Sequence, residues 1–188
     1  MHPMVKVGGC LLATGALLSC LMTTDPSTAR DLTAAESAKL ADTVTKFDAA
    51  MGSKDLSALV KAIPPRIVKQ MAERDGTTEA EINKALAELI DTSMSAMPVQ
   101  SFALKLPEAT HKELADGTPY LLIPTDTVID AGGADKALMR APTLALLDGS
   151  EWYLLKTNDA QLVSILREAY PDYAGIEFPE ATMEPYKD

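Results

Sequence analysis

The first half of the chain shows a helical spacing of apolar residues, punctuated by capping patterns. Four apolar residues recur at intervals of four, three and four: Leu40, Val44, Phe47 and Met51. This spacing places them on one face of a helix. The segment from Thr33 to Glu36 has the pattern of a capping box, and Gly52 is expected to end the helix. Two shorter helices over 53–63 and 67–76, and a long one that begins at a second capping box, complete the predicted helical half.

After Pro98 the spacing becomes alternating, which predicts strands. Four strands are predicted, over approximately 102–106, 120–130, 137–147 and 152–156. Pro124 indicates an edge position or a bulge in the second of them. Asp148-Gly149 predicts the hairpin turn before the fourth. Asn158 or Asp159 then caps a last helix.

Helices followed by an antiparallel meander predict an α+β fold. N-terminal helices are expected to pack on a curved antiparallel sheet of about four strands, with a C-terminal helix after it. Residues 30–170 are interpreted as one domain, and residues 171–188 as an acidic, proline-containing tail that packs irregularly on the surface. No internal repeat is found.

Residues 1–29 are interpreted as a signal peptide, with a cationic start at Lys6 and an apolar run over 7–22. A small-residue site that ends at Ala29 predicts ordinary cleavage. The alternative is cleavage before Cys20, because the four residues that end there resemble a bacterial lipobox. Acylation of Cys20 would then be the protein's link to a membrane. Both alternatives predict an exported protein of the bacterial periplasm or cell envelope.

Charge and composition exclude several chemistries. The formal net charge is −10 and no cluster of basic residues offsets it, so nucleic acid and anionic lipid are not expected as partners. Both cysteines lie in the leader, and His111 is the sole histidine beyond it. A zinc site or a thiol nucleophile therefore cannot be built, and no metal or cofactor is predicted. A solvated loop position is the interpretation of His111.

The order of elements, together with Asp148-Gly149-Ser150-Glu151-Trp152-Tyr153, resembles the nuclear-transport-factor-2-like (cystatin-like cone) superfamily. The resemblance implies a space between the helices and the curved sheet. Six apolar residues are predicted to line it as a ligand pocket: Phe102, Leu104, Leu122, Leu144, Leu146 and Trp152. It also implies a homodimer through the outer face of the sheet.

Two functions are considered. The first is an exported, non-enzymatic envelope or periplasmic protein that binds a small apolar molecule or a protein partner. The second is a cone-fold enzyme with isomerase-like or hydrolytic acid–base chemistry. Its candidate residues are Tyr120, Asp126 and Asp130, because residues of equal parity on an unbroken strand face the same side. The first function is the prediction.

Overall fold

The computed structural model describes residues 29–132 and 135–187. The predicted leader up to residue 28, with Cys20, lies outside the described residues, as do residues 133–134 of the predicted turn. The α-helices are α1 (Ala34–Ser53), α2 (Leu56–Lys61), α3 (Pro65–Asp75), α4 (Glu79–Ala96) and α5 (Ala160–Ala169). The strands are β1 (Val99–Leu104), β2 (Thr110–Glu113), β3 (Pro119–Gly132), β4 (Asp135–Asp148), β5 (Glu151–Lys156) and β6 (Thr182–Tyr186). Short 3₁₀ helices occupy Leu106–Glu108 and Pro171–Tyr173.

The starts of α1 and α4 follow the predicted capping chemistry. Thr33 and Thr78 each form a capping box with the glutamate three residues later. The first helix ends differently from the prediction, because Gly52 lies in its last turn and Lys54 adopts the left-handed conformation with φ 55°. The Asp55 carboxylate, not Ser53, caps α2, since it accepts a hydrogen bond of 3.1 Å from the Ala58 N–H.

The α+β fold is confirmed, with a curved antiparallel sheet built around the β3–β4 hairpin. Strand β2 pairs with the first part of β3, and β1 pairs with its later part. On the other side of the hairpin, β6 pairs with the first part of β4, and β5 pairs with its last part. Strands β2 and β6 were not predicted from the sequence. The irregular packing expected for the tail is wrong over 182–186, because this segment pairs with β4.

Pro124 is not on an edge strand, and no register shift occurs beside it. The strand that contains it lies between other strands, and its pairing with β4 is continuous from Tyr120 to Asp130. The Pro124 carbonyl accepts a hydrogen bond of 2.9 Å from the Lys105 N–H, just beyond the end of β1. In an antiparallel strand the nitrogen and the carbonyl of one residue face the same side, so the Pro124 nitrogen also faces away from β4. At that point the neighbouring strand changes from β1 to β2, so the missing N–H of proline removes no ladder hydrogen bond.

Both faces of the sheet are covered. The face under α1, here the α1 face, packs against Leu40 and Val44 of that helix. The opposite face, here the α5 face, packs against α5, the second 3₁₀ helix and Ile67 of α3. Each fully buried aliphatic side chain contributes about 1.5–3 kcal/mol, so these two layers hold the sheet from both sides. The helices and the strongly curled sheet form a half-barrel-like shape that is compatible with the cone fold.

The helical layer is joined to the sheet by two specific hydrogen bonds. The indole N–H of Trp152 donates to the Glu36 carbonyl in α1 at 2.9 Å. The Leu154 N–H donates to the Ala62 carbonyl at 3.0 Å, at the link between α2 and α3. This second bond covers part of the outer edge of β5 and places α2, α3 and α4 beside that strand.

Candidate functional site

A groove of about 560 Å³ lies between α2, α3 and α4, and Tyr153 of β5 also lines it. Its apolar side chains are Val60, Ile63, Val68 and Ala87, which belong to the small core that joins the three helices. The size lies within the usual range for small-molecule sites, about 300–1,000 Å³. The groove therefore exists because α2, α3 and α4 meet β5 without filling the space between them.

The polar lining of this groove includes two lysines and one glutamate. Lys61 forms no ion pair within the described residues, and Lys84 has only a weak one, 3.9 Å from the exposed Glu88. Burial, followed by the nearby carboxylates, raises the pKa of Tyr153, so its phenol stays protonated. An apolar surface with two available ammonium groups suits a molecule that has an apolar body and an anionic end.

A second cavity, of about 460 Å³, lies at the β4–β5 turn and is mainly polar. Its two arginines are paired within the protein: Arg30 with Glu36 at 2.7 Å, and Arg66 with Asp148 at 3.8 Å. Tyr173 lines it too, and its buried hydroxyl has no hydrogen-bond partner within the described residues. Because Arg30 is tightly paired and Arg66 is held between Asp148 and the Tyr170 ring, this cavity offers less to a charged ligand than the groove does.

The three candidate acid–base residues occupy alternate positions of one continuous strand, but they do not form one site. Tyr120 is buried and packs edge-on against Tyr173, with 5.4 Å between ring centres. Asp126 lies six residues further along the strand, which corresponds to about 20 Å at a rise of about 3.3 Å per residue. It is paired with Lys105 at 2.9 Å and with Arg140 at 3.6 Å. Asp130 is further still and accepts a hydrogen bond of 2.9 Å from the Gln100 amide.

The six predicted pocket residues are divided between the two faces of the sheet. Phe102, Leu104 and Trp152 pack on the α1 face, whereas Leu122, Leu144 and Leu146 pack on the α5 face. Both sets are part of hydrophobic cores, and none of the six lines either cavity described above. Their role in ligand binding stays a prediction.

Lys156, at the end of β5, is a candidate residue that was not predicted from the sequence. Its side chain is half-buried, and its Nζ atom lies 5.8 Å from the centre of the Phe102 ring. Burial lowers the pKa of this lysine below its ordinary value of 10.5. Asp48 on α1 is a second partly buried titratable residue: burial raises its pKa, and its Oδ1 atom has no hydrogen-bond partner within the described residues.

Three observations bear on metals and membranes. His111 is exposed in β2, opposite Leu121, rather than in a loop. Among the described residues, no group of three or more histidines, cysteines or carboxylates is arranged to hold a metal ion. No helix in that part of the chain combines the length and apolar character needed to cross a membrane.

The comparisons with known proteins give no match. No family model matches the chain, and neither a curated protein nor a solved structure matches it. The compatibility with the nuclear-transport-factor-2-like cone therefore rests on architecture alone, and function has to be argued from the geometry of the sites.

Proposed function

We propose that this protein is an exported, non-enzymatic binding protein of the bacterial cell envelope. Its ligand is a small amphiphile, with an apolar body and an anionic head group, bound in the groove between α2, α3 and α4. Export rests on the leader pattern in the sequence. The observation that carries the binding proposal is a groove of about 560 Å³ with an apolar lining and two lysines, Lys61 and Lys84.

Each part of the groove has a role in this proposal. Val60, Ile63 and Val68 contact the apolar body, and each square ångström of apolar surface removed from water contributes about 25 cal/mol. The ammonium groups of Lys61 and Lys84 attract the head group, and the Tyr153 phenol is available to donate a hydrogen bond. The open side of the groove lets the ligand enter without unfolding a helix.

The acid–base alternative has less support. A general base and an oxyanion donor must both be within hydrogen-bond reach of one small substrate. Tyr120 and Asp126 are about 20 Å apart along β3, and Asp126 is held between two cations. Substituting Asp126 by Asn is therefore expected to leave the biological effect of the protein unchanged.

Calorimetric titration of the purified protein with laurate tests the proposal. Laurate should bind with a stoichiometry of one, and dodecyltrimethylammonium, with the same chain and the opposite charge, at least tenfold more weakly. Lys61→Gln and Lys84→Gln should each weaken laurate binding several-fold, whereas Lys46→Gln, on the exposed surface of α1, should not.

Ala87→Trp supplies the steric control, because position 87 lies on α4 and is half-buried in the lining of the groove. This variant should keep the helical circular dichroism of the parent and lose laurate binding. Equal affinity for the two detergents, or unchanged binding by the Ala87→Trp variant, would contradict the proposed site. If a protein partner is recovered and no amphiphile binds, the protein binds another protein and not a small molecule.

A further inference from the structure

Lys156 and Phe102 extend toward each other across the α1 face of the sheet. Lys156 ends β5 opposite Thr143 of β4, and Phe102 lies on β1 opposite Thr127 of β3. Two strands separate β5 from β1, which corresponds to about 14 Å at the usual strand spacing of about 4.8 Å. The lysine Nζ atom nevertheless lies 5.8 Å from the centre of the phenyl ring. The amine is therefore held over the sheet, against an aromatic wall.

Among the described residues, this amine has no counter-ion. No ion pair or hydrogen bond of the described residues includes the Lys156 side chain, whereas Lys105, just beyond β1 and on the α5 face, is paired with Asp126 at 2.9 Å. The Thr125 and Thr143 hydroxyls, also on this side of the sheet, bond to each other at 2.8 Å, and Thr125 donates to the Ile123 carbonyl. These two hydroxyl groups are thus already paired within the sheet.

An ammonium group that is partly removed from water and lacks a carboxylate is destabilised relative to the neutral amine. The direction of the pKa shift of Lys156 agrees with this environment, and burial is its cause. A neutral lysine amine is a nucleophile, and desolvation is one of the ways in which proteins activate it. Lys156 also keeps part of its surface exposed.

We infer that Lys156 is a covalent binding site for small aromatic aldehydes, with Phe102 as the wall that positions the ring. The Nζ lone pair attacks the carbonyl carbon, and a proton passes from nitrogen to the carbonyl oxygen to give a carbinolamine. Loss of this hydroxyl with the remaining amine proton, as water, leaves the imine C=N bond. No oxidant or reductant is needed. The site is separate from the proposed groove, because Tyr153, which lines the groove, packs on the α5 face.

Reductive trapping tests the inference. The purified protein is incubated at pH 7 with benzaldehyde and cyanoborohydride, and peptide mapping by mass spectrometry follows the benzyl adduct at each lysine with time. Lys156 should be labelled at least tenfold faster than the helix-surface lysines Lys46, Lys69 and Lys84. Labelling of Lys156 no faster than these three lysines would overturn the inference.

Variants separate reactivity from accessibility. Lys156→Met should fold and lose the fast label, and the slow labels elsewhere should be unchanged. Phe102→Leu should slow labelling at Lys156 several-fold, because it removes the aromatic wall, while the rates at Lys46 and Lys84 stay the same. An unchanged rate in a folded Phe102→Leu protein would show that Phe102 does not position the aldehyde. If either variant fails to fold, the rate comparison within the wild-type protein still decides whether Lys156 is the reactive lysine.

Discussion

The phenol of Tyr170 donates a hydrogen bond of 2.8 Å to Oδ2 of Asp148, and so ties the end of α5 to the β4–β5 turn. The Arg66 guanidinium lies over the same ring, 4.3 Å from its centre, and reaches Oδ1 of Asp148 at 3.8 Å. Burial, together with the Asp148 carboxylate, raises the pKa of Tyr170, so the phenol remains a donor in neutral solution. Three elements that are distant in sequence, α3, the β4–β5 turn and α5, are thus joined at one end of the sheet.

Tyr170→Phe should destabilise the protein by about 1–2 kcal/mol, because it removes a donor to a half-buried carboxylate. Urea unfolding measures the change. Tyr186→Phe is the matched control: Tyr186 is 38% exposed on β6, and its hydroxyl forms no hydrogen bond within the described residues. Equal losses in the two variants would contradict a structural role for the bond to Asp148.

Pro124 and Pro142 are directly opposite each other in the β3–β4 pair. We expect that replacing either proline by alanine changes the free energy of unfolding only slightly. The Pro142 carbonyl accepts from the Thr157 hydroxyl at 2.9 Å, on the side away from β3, so its nitrogen also faces away from β3. Pro124→Ala and Pro142→Ala should each cost only about 0.5–1 kcal/mol, mainly through the freer unfolded chain.

Ala141→Pro is the contrasting variant. Residue 141 pairs with Thr125, and its N–H points toward β3, so proline there removes a bond from the central ladder and leaves a carbonyl unpaired. We expect a loss of about 2 kcal/mol or more in urea unfolding. A smaller loss than that of Pro142→Ala would show that the register described here is wrong.

Acid should weaken the N-terminal cap. The Arg30 guanidinium donates two hydrogen bonds to Glu36, at 2.9 and 2.7 Å, and these bonds, followed by that from the Thr33 N–H, lower the pKa of Glu36 from 4.5 to about 2. As the pH falls, Glu36 is therefore protonated in the unfolded chain before it is protonated in the folded one. The stabilisation of the folded state by the Glu36 carboxylate is present above pH 4.5 and is lost as the pH falls toward 2. The difference in unfolding free energy between wild type and Glu36→Gln should shrink over that interval. Glu73→Gln, on the exposed surface of α3, is the control, and an equal trend in it would argue against the cap.

Processing after Ala29 should create a new ion pair. The backbone nitrogen of Arg30 donates to Oε2 of Glu113 at 3.0 Å, and cleavage at the predicted site would turn that amide into an ammonium group. Glu113→Gln should then cost up to about 1 kcal/mol more in the processed protein than in one that retains Ala29. The extra stability should be present below the ordinary α-amino pKa of about 8 and be lost as the pH rises above it. Intact mass identifies the starting residue, and an acylated Cys20 would contradict this prediction.

The sequence predicts the starts of α1 and α4 and the hairpin turn because their signals are local. Thr33 and Thr78 act through residues three positions away, and Gly149, at φ 64°, meets a backbone requirement within its own turn. Strand β6 was not predicted because its residues are all exposed, so no apolar alternation marks it.

The candidate site is harder to predict because it depends on contacts between distant elements. From the sequence, Leu104 and Leu122 are both predicted to face the core. They lie on opposite faces of the sheet, and both are buried because both faces are covered. Lys156 follows an apolar strand and precedes a turn, which is typical of a solvated charge. Only the tertiary packing brings its amine to Phe102.

Trp152, the chain's one tryptophan, makes the docking of α1 directly visible to spectroscopy. The indole is 4% exposed and is hydrogen-bonded to the Glu36 carbonyl, so its emission reports the environment of that one contact. Undocking of α1 would admit water to the ring and shift the emission to longer wavelength, even while the far side of the sheet stayed intact. The protein thus carries an intrinsic optical reporter, and no dye is needed to follow the separation of its helical layer from its sheet.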